Sequence, residues 1–367
     1  MEGLVMARLP DAAFWRGKRV FLTGHTGFKG AWLALWLKHL GAEVHGYALA
    51  PPSLPNLFEV VHVAADLITD VRGDLRDADG VADAVAKVRP DVVFHLAAQS
   101  LVRPSYADPL GTFAVNAMGT AHVLEAARHC PAVRAVVVVT TDKCYENREW
   151  VYPYRENDRL GGHDPYSASK ACAELVADCW RRSFFKSAGV NALRIATVRA
   201  GNVIGAGDWA VDRLLPDCFR AFACSESVKL RCPHAVRPWQ HVLEPLSGYL
   251  QLAESLVGAG GEDFSRSWNF GPDPDSDASV GHVASEAARL WGETARVEFD
   301  VALMAGHEAG VLRLDSTMVR VQLGWRPRWP LARALFETVR GYKVYVEGGD
   351  LRALVLGQID TYSSESG

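Results

Sequence analysis

Thr23-Gly24-His25-Thr26-Gly27-Phe28-Lys29-Gly30 lies between an apolar strand pattern at residues 18–22 and an apolar helix pattern at residues 31–37. A strand, a glycine turn and a helix start in this order let the backbone approach a dinucleotide pyrophosphate. The N–H groups of the helix N-terminus then stabilise its charge. The spacing G-x-x-G-x-x-G differs from the simplest dinucleotide fingerprint, and an ordinary strand-to-helix turn is the alternative. We interpret the stretch as the cofactor-binding turn of an α/β fold.

Apolar runs and amphipathic patterns alternate along the first half of the chain. Strand patterns occupy residues 43–49, 67–71, 91–96 and 134–140, and helical patterns include residues 77–88 and 111–129. The run Ala135-Val136-Val137-Val138-Val139 is typical of a parallel strand that is buried on both faces. This alternation predicts a Rossmann-type α/β fold, a doubly wound parallel sheet whose ligand site lies at the carboxyl ends of its strands.

The second half predicts a smaller C-terminal α/β substrate lobe beside this core. At 367 residues the chain is long for one domain. We predict a Rossmann core from residues 1–204 plus about 241–270, and a substrate lobe from residues 205–240 and 271–350. Residues 351–367 are predicted as a C-terminal tail.

Tyr166 and Lys170 are four residues apart in a helical pattern that Asp164-Pro165 begins. Side chains four apart lie on one helix face, so the Lys170 ammonium can favour the anion of the Tyr166 phenol. A free phenol has a pKa of ~10, and a lowered pKa would let it take a proton from a sugar hydroxyl while hydride leaves for a nicotinamide. Thr141 ends the fifth strand pattern and supplies a second hydroxyl for the same oxygen. A chance surface pair is the alternative, which the position of Thr141 disfavours.

Asp142 and Lys143 follow Thr141 directly and add proton-transfer groups that a plain dehydrogenase does not need. Oxidation of a sugar C4 hydroxyl acidifies the C5 proton, and loss of the C6 hydroxyl then needs an acid for the leaving oxygen. Asp142 is the candidate acid, so the sequence predicts a lyase that uses its nicotinamide catalytically. An exposed charged turn is the alternative for both residues.

Several stretches resemble the extended branch of the short-chain dehydrogenase/reductase superfamily and, within it, the CDP-glucose group of the nucleotide-sugar 4,6-dehydratases. The resemblance runs from about Phe14 to about Tyr362. It is carried by residues 24–30, 46–49, 55–59, 141–147, 201–205, 207–209 and 237–242. The stretch Asp142-Lys143-Cys144-Tyr145-Glu146-Asn147 distinguishes this group, because other groups usually carry Glu at the position of Lys143.

The resemblance implies dehydration of CDP-D-glucose to CDP-4-dehydro-6-deoxy-D-glucose, in deoxysugar synthesis for O-antigen or other cell-surface polysaccharide. It implies NAD as the cofactor and a CDP-sugar as the partner molecule. Lys143 would be the C5 base, which requires a neutral amine and hence desolvation or cationic neighbours. Residues 48–53 carry neither the acidic side chain usual for NAD nor the arginine usual for NADP, so NADP stays open.

The resemblance also implies binding residues. Asp74 would meet the adenine amino group, and Asn116 would brace the active-site backbone. Asn202 and Arg237 would hold the substrate pyrophosphate. The implied cofactor residues are Gly24, Thr26, Gly27, Phe28, Lys29, Gly30, Asp74, Leu75, Leu96, Ala97, Ala98, Gln99, Asn116, Tyr166 and Lys170. The implied substrate residues are Ser100, Asn202, Arg213, Arg231 and Arg237, with a solvated surface role as the alternative for Arg213 and Arg231.

Composition excludes several classes of partner. The formal net charge is −4 and the pI about 6.3, so no basic surface points to nucleic acid or to an anionic membrane. No apolar run approaches the ~18 residues of a membrane span, and residues 1–11 lack a signal-peptide core. The seven cysteines are scattered without metal-type pairs, so we predict reduced thiols, no metal site and a cytoplasmic location.

Two other functional classes stay open at this point. One is a sister enzyme, either another nucleotide-sugar dehydratase or an epimerase, although Asp142 argues against a simple epimerase. The other is a non-catalytic, cofactor-sensing protein, which would not need Thr141, Tyr166 and Lys170 together. The resemblance also implies a homodimer or homotetramer that forms through the helices at residues 111–129 and 164–187.

Overall fold

The apolar runs of the first half form strands of one parallel sheet. The computed structural model describes residues 8–185, 192–230, 232–299 and 311–365. Within these residues the strands are β1 (Arg19–Thr23), β2 (Glu43–Ala48), β3 (Thr69–Arg72), β4 (Val92–His95), β5 (Ala135–Val139), β6 (Arg194–Ala200), β7 (Asn202–Ile204), β8 (Ser227–Leu230), β9 (Val236–His241), β10 (Ser267–Phe270), β11 (Asp277–Ser279) and β12 (Arg296–Phe299).

Helices alternate with these strands. The α-helices are α1 (Ala12–Trp15), α2 (Phe28–His39), α3 (Leu57–Val60), α4 (Ala78–Val88), α5 (Val102–Ala107), α6 (Pro109–Phe113), α7 (Gly119–Arg128), α8 (Pro165–Phe184), α9 (Leu214–Ala223), α10 (Leu243–Val257), α11 (Val280–Trp291), α12 (Leu331–Val346) and α13 (Leu351–Ser364). Short 3₁₀ helices occupy Val63–Asp66, Asp142–Cys144, Gly261–Phe264 and Pro274–Ser276, and π-helical turns occupy Ala114–Met118 and Val319–Leu323.

The central sheet has the strand order β3-β2-β1-β4-β5-β6-β10, and every pairing in it is parallel. Because β1 lies between β2 and β4, the strand order reverses there and leaves a crevice at the carboxyl ends of β1 and β4. The predicted Rossmann-type, doubly wound α/β fold is confirmed. Each motif that the sequence analysis singled out in the first half falls at this edge of the sheet.

Burial explains the two most apolar segments. All five residues of β5 are buried, as expected for an inner strand with helices on both faces. Residues 30–37 of α2 are also all buried, because α2 lies between the sheet and α13. Trp36 and Tyr362 meet there edge to face, with ring centroids 5.6 Å apart. Apolar as α2 is, none of the described helices is long and apolar enough to cross a membrane.

The second half adds two small sheets, β11-β9-β7 and β12-β8. Helices α9, α11 and α12 pack together beside them through aromatic rings: Phe219 stacks on Tyr342 and on Trp291, with centroid distances of 4.2 and 5.6 Å. Strand β7 pairs in parallel with β9 and places Asn202 opposite Trp239. This pairing brings the substrate residues predicted on β7 and β9 to one place.

Two predicted segments differ from the observed elements. The single helix predicted over residues 111–129 is α6, a π-helical turn and α7 in succession. Residues 351–364, part of the predicted tail, form α13, which docks on the core through Arg352. Its guanidinium donates to the Val61 carbonyl oxygen at 2.6 Å and pairs with Asp66 at 2.8 Å. The division into core and lobe stays a prediction.

Candidate active site

The turn between β1 and α2 requires glycine at two positions. Gly24 has a φ of +78°, and a Cβ there would lie 2.6 Å from the Ala97 amide nitrogen. A Cβ at Gly30 would lie 2.0 Å from the Gly24 carbonyl oxygen, so only glycine lets α2 approach the turn. Gly27 is the N-cap of α2 and leaves the first helical turn uncovered by a capping side chain. These residues fit a dinucleotide pyrophosphate, which needs close backbone approach and a helix N-terminus.

The other residues predicted to bind cofactor in this turn contact or influence neighbouring segments. Thr26 Oγ1 donates to the Leu49 carbonyl oxygen at 3.0 Å and so joins the turn to the end of β2. Phe28 faces Gly205, where a Cβ would lie 3.2 Å from Phe28 Cζ. Burial and, after it, the Arg213 cation lower the pKa of Lys29 to about 8. Lys29, in the glycine turn, therefore lies within electrostatic range of Arg213.

The loop after β4 holds five of the predicted binding residues. Leu96, Ala97, Ala98 and Gln99 are half-buried, and Ser100 is exposed. The Ala97 amide donates to Thr23 Oγ1 at 3.2 Å, which fixes the loop to the start of the glycine turn. Gln99 Nε2 donates to the Leu101 carbonyl oxygen at 2.9 Å, and Gln99 Oε1 accepts from the Leu101 amide at 2.6 Å. The Gln99 side chain therefore holds its own loop in shape.

Asn116 lies in the π-helical turn between α6 and α7 and bonds to two neighbouring elements. Its Oδ1 accepts from the Gln99 amide, and its Nδ2 donates to the Gln99 carbonyl oxygen and to Ser169 Oγ, all at 2.9 Å. These bonds tie the loop after β4 to α8. A π-helical turn inside a helix commonly marks a functional site, and here it carries the predicted bracing residue.

Asp74 and Leu75 follow β3, and the family resemblance implies that Asp74 meets the adenine amino group. Arg76 binds Asp74 through two nitrogens, with Nε and Nη2 at 2.9 and 2.6 Å from Asp74 Oδ2. These hydrogen bonds lower the pKa of Asp74, so its carboxyl is an anion that one arginine already holds. Leu75 is buried, and its carbonyl oxygen accepts from His122 Nδ1 at 2.7 Å.

The catalytic turn, which we define as residues 141–144, begins where β5 ends. Thr141 is the N-cap of the 3₁₀ helix Asp142–Cys144. Thr141 Oγ1 donates to Asp142 Oδ1 at 3.0 Å and accepts from the Lys143 amide at 3.3 Å. The Thr141 hydroxyl also lies near the phenol of Tyr166 and lowers its pKa. The structure thus places Tyr166, Thr141 and Asp142 together, although Tyr166 follows in a separate sequence motif.

Asp142 is suited to hold a proton. Its side chain is buried, and burial raises its pKa, against the opposing effects of the Lys143 charge, the Thr141 hydrogen bond and the Arg237 charge. Its Oδ2 has no hydrogen-bond partner among the residues the structure describes. A Cβ on Gly201 would lie 3.2 Å from this oxygen, so the glycine leaves the space beside it open. A carboxyl with a raised pKa and a free oxygen can serve as a general acid.

Tyr166 is positioned by the start of α8. Asp164 caps this helix by accepting from the Ser167 amide at 3.0 Å, and Ser105 Oγ accepts from the Tyr166 amide at 3.1 Å. Burial raises the pKa of Tyr166 to about 12, while the nearby Thr141 hydroxyl and the Arg213 charge act in the opposite direction. The phenol is therefore protonated at neutral pH in this structure.

Lys170 lies one turn further along the same face of α8 and is buried. Its ammonium donates to the Val139 carbonyl oxygen of β5 at 3.0 Å. Burial lowers the pKa of Lys170 to about 8, and the Glu174 carboxylate opposes this shift. The sequence argument placed the ammonium beside the phenol oxygen. In the structure the ammonium binds the end of the strand that leads into the catalytic turn.

The structure brings two of the predicted substrate arginines close to candidate catalytic residues. Arg237 is buried on β9, and its charge acts on the Asp142 carboxyl. Arg213 pairs with Asp208 at 2.8 Å and is not simply solvated, because its charge also acts on the Tyr166 phenol. Asn202 is half-buried on β7. Arg231 lies outside the described residues.

Sequence reasoning missed a cluster beside the end of β2. Arg72 ends β3, pairs in register with Ala48, and binds Asp70 at 2.9 Å. His25 of the glycine motif binds the same Asp70 at 2.8 Å, and the Arg72 guanidinium stacks over Phe58 at 4.9 Å. A search of the neighbouring strand for a cation, rather than only the residues after β2, would have found Arg72.

Comparison with known proteins identifies the family. Residues 21–338 match the GDP-mannose 4,6 dehydratase family. The chain belongs to that family. One relative is a CDP-glucose 4,6-dehydratase of Salmonella typhimurium, 48% identical over 96% of this chain and 98% of the relative. A second is a UDP-glucose 4-epimerase of Mycolicibacterium smegmatis, 26% identical over 89% of this chain and 98% of the relative. The predicted resemblance to nucleotide-sugar dehydratases is confirmed.

Solved structures share the fold of this dehydratase-family chain. A dTDP-glucose 4,6-dehydratase from Streptomyces venezuelae with NAD and DAU bound matches with a TM-score of 0.74 and 24% identity, over 90% of this chain and 98% of that one. A UDP-glucose 4-epimerase from Stenotrophomonas maltophila with bound NAD and formylated UDP-arabinopyranose matches with a TM-score of 0.77 and 21% identity, over 90% and 100%. At these identities the likeness shows the shared fold.

Proposed function

We propose that the protein is a CDP-glucose 4,6-dehydratase, a lyase that converts CDP-D-glucose to CDP-4-dehydro-6-deoxy-D-glucose. The observation that carries this proposal is that Tyr166, Thr141 and Asp142 meet in one place: the Thr141 hydroxyl donates to Asp142 Oδ1 at 3.0 Å and acts on the Tyr166 phenol. A dehydrogenase needs only a base for the hydroxyl, whereas an elimination also needs an acid for the leaving oxygen. The CDP-glucose 4,6-dehydratase of Salmonella typhimurium, at 48% identity, supports the choice of nucleotide and sugar.

We infer that NAD is the cofactor, held by the β1–α2 turn and the loop after β4. Bound NAD would accept hydride from sugar C4 and return it to C6, so that no net oxidation occurs. The NAD in the Streptomyces venezuelae dehydratase, which shares the fold, supports this choice. Arg72 is the cation near the end of β2, but Asp70 already binds it at 2.9 Å, which disfavours a role in holding the extra phosphate of NADP.

Tyr166 is proposed as the base for the sugar C4 hydroxyl. Its phenol must give up its own proton first, and its raised pKa means that cations must assist. Arg213 already acts in this direction, and Lys170 supplies a further positive charge on the same helix face. The Thr141 hydroxyl would hold the same sugar oxygen while the proton moves.

Asp142 and Lys143 are proposed as the acid and base of the elimination. Lys143, half-buried in the catalytic turn, would take the C5 proton as a neutral amine. The C5–H electron pair then forms the C5–C6 double bond, and the C6–O bond breaks. Asp142 donates its proton to the departing oxygen, which leaves as water. This order of events requires a protonated Asp142, which agrees with the raised pKa of its carboxyl.

Arg237→Ala is expected to weaken CDP binding about 10- to 100-fold, because the pyrophosphate would lose a charge-assisted partner worth ~1.5–3 kcal/mol. NAD affinity should not change, because Arg237 lies on β9, in the predicted substrate lobe and outside the predicted cofactor residues. Calorimetric titration with CDP and with NAD measures both affinities. Arg340→Ala is the control, since Arg340 pairs with Glu337 on α12. An unchanged affinity for CDP in Arg237→Ala would place the pyrophosphate elsewhere.

The test of the function is incubation of the purified protein with NAD and CDP-glucose, followed by mass spectrometry. The expected result is a product that has lost one water and carries a 4-keto group. GDP-mannose, dTDP-glucose and UDP-glucose are tested in parallel. If only one of these sugars gives a dehydrated product, the substrate is that nucleotide sugar and not CDP-glucose. An isomer of unchanged mass would indicate an epimerase. Cofactor binding without turnover on any sugar would indicate a binding protein.

Oligomeric state, cellular location and pathway are further parts of the proposal. Leu110, Met118 and Leu175 are 83%, 54% and 59% exposed on α6, the π-helical turn and α8, the helical segments predicted to form a dimer. Burial of such apolar side chains favours a homodimer or homotetramer, which light scattering after size-exclusion chromatography would measure. We propose a cytoplasmic enzyme of deoxysugar synthesis for cell-surface polysaccharide.

A further inference from the structure

A buried ion pair lies behind the catalytic turn. Glu174 on α8 and Arg199 on β6 form two bonds, from Nη2 to Oε2 at 2.9 Å and from Nε to Oε1 at 3.0 Å. Their side chains are only 1% and 3% exposed. Taking two charges out of water costs several kcal/mol per ion, so a buried pair is a weak means of stabilising a fold. Its contacts therefore need another explanation.

The carboxylate end of the pair holds the residue before the catalytic turn. Thr140 Oγ1 donates to Glu174 Oε1 at 2.5 Å. On the other oxygen, Glu174 Oε2 accepts from Thr197 Oγ1 at 2.6 Å and from Ser267 Oγ at 3.1 Å. Glu174 therefore fixes the end of β5 against β6 and β10 at the point where the turn begins.

The guanidinium end holds the residue after the catalytic turn. Arg199 Nη1 donates to the Tyr145 hydroxyl oxygen at 2.7 Å and to the Glu156 carbonyl oxygen at 3.0 Å. The Tyr145 hydroxyl in turn donates to Asn269 Oδ1 at 2.7 Å, and the guanidinium lies over the Tyr145 ring at 4.9 Å. One ion pair therefore holds the residue before and the residue after the catalytic turn.

Glu174 also belongs to the helix that carries the base. Tyr166, Lys170 and Glu174 follow one another at intervals of four residues on α8, so they lie along one helix face. A bond from Glu174 to Thr140 therefore sets the distance between two groups of residues. One group is the Tyr166–Lys170 pair, and the other is the catalytic turn with its candidate acid.

We propose that the Glu174–Arg199 pair is a positioning clamp that holds the catalytic turn in register with α8. The clamp acts through Thr140 and Tyr145 and does not touch the reacting atoms. This inference rests on the proposed dehydratase function. It predicts that a loosened clamp harms the elimination, which needs the turn, more than the first oxidation, which depends chiefly on Tyr166.

The clamp has a second consequence, for the charge of Lys170. The titratable and charged groups that interact with the Lys170 ammonium are Glu174 on its own helix, Cys144 in the turn, His95 on β4 and Lys29 on α2. Of these, Glu174 is the foremost group that raises the pKa of Lys170 against the effect of burial. Loss of the Glu174 charge would lower this pKa, so Lys170 would lose its proton at a lower pH.

Arg199→Lys tests the clamp because it keeps the charge beside Glu174 but removes the planar fork that reaches Tyr145. The expected result is a fall in kcat of about 10- to 100-fold, with the KM for CDP-glucose within about threefold of the parent value. In a single turnover followed by absorbance, reduced nicotinamide should build up above the parent level. If the pair were purely structural, Arg199→Lys would lower the amount of folded enzyme. The balance between the oxidation at C4 and the later elimination would then stay at the parent value.

Glu174→Gln tests the charge, since glutamine keeps a hydrogen-bond acceptor for Thr140. The alkaline fall of kcat should move to lower pH by about one unit. The control is Glu337→Gln, which neutralises another buried carboxylate, held by Arg333 at 2.7 Å on α12. The pH profile of Glu337→Gln should match the parent. If either single variant is not folded, as judged by the absence of cooperative unfolding, the double variant Glu174→Gln/Arg199→Gln replaces it, because it removes both charges together. The build-up of reduced nicotinamide and the pH profile of kcat are then measured on the double variant.

Two results would overturn the inference. A folded Arg199→Lys enzyme with parent kcat and no excess of reduced nicotinamide would show that the turn keeps its place without the clamp. A folded Glu174→Gln enzyme with the parent pH profile would disconnect Glu174 from Lys170. Failure of the proposed function looks different, because the parent protein itself would then form no dehydrated product from CDP-glucose. The clamp would in that case be measured with whichever nucleotide sugar the parent accepts.

Discussion

Tyr166→Phe is expected to lower kcat by about 100- to 10,000-fold, the usual contribution of a general base. The phenylalanine ring fills the same buried space at the start of α8, so the fold and the binding of CDP should be retained. Only the phenol hydroxyl, which lies near Thr141, is lost. Steady-state kinetics with CDP-glucose measure the fall in kcat, and calorimetric titration with CDP measures the affinity.

Tyr362→Phe is the matched control for this variant. Tyr362 is also buried, and its hydroxyl donates to Glu244 Oε2 of α10 at 2.6 Å. Loss of this hydroxyl removes a buried hydrogen bond without touching the catalytic turn, so kcat should stay within about twofold of the parent while the unfolding midpoint falls. A folded Tyr166→Phe protein with near-parent turnover would remove Tyr166 from the mechanism.

Asp142→Asn is expected to separate oxidation from elimination. Asparagine keeps the shape of the side chain and an acceptor for Thr141 Oγ1, but it cannot donate a carboxyl proton to the C6 oxygen. Formation of the 4-keto-6-deoxy product should fall by about 100- to 10,000-fold. Tyr166 and Thr141 remain, so reduced nicotinamide should build up on the enzyme in a single turnover, visible by its absorbance. Product formation at the parent rate would refute the acid assignment.

Lys143→Ala is the companion variant, because it removes the candidate base one step earlier. Exchange of the sugar C5 hydrogen with deuterated water should disappear in Lys143→Ala and persist in Asp142→Asn, whose base is intact. Mass spectrometry of recovered CDP-sugar measures the exchange. If C5 exchange continues undiminished in Lys143→Ala, the base is another group.

The parts of the site that sequence predicts well are those encoded within one short stretch. Gly24, Gly27 and Gly30 specify a turn by their spacing, and Tyr166 and Lys170 share a helix face because they are four residues apart. The parallel sheet follows in the same way from separate apolar runs. Each of these features depends on local periodicity, which survives in a single sequence.

The parts that sequence misses depend on side chains meeting from distant segments. In the sequence, nothing distinguishes Glu174 from other charged helix residues or Arg199 from other strand residues. Their pairing becomes visible only when α8 and β6 are placed side by side. The His25–Asp70–Arg72 cluster likewise forms only because β3 lies next to β2. The bracing role of Asn116 is predicted from the family resemblance. No periodicity in the sequence indicates the π-helical turn that contains Asn116, from which its side chain reaches Gln99.

The docking of α13 has a consequence for how the protein is made. Arg352 of α13 donates to Val61 across 291 residues of sequence, and Tyr362 covers Trp36 at the far end of the helix that starts at the cofactor turn. A ribosome releases α2 long before it synthesises α13, and domains generally fold as units. Helix α2 therefore completes its packing only after α13 has emerged. We expect tight dinucleotide binding to be acquired late in synthesis, by chains that extend through α13.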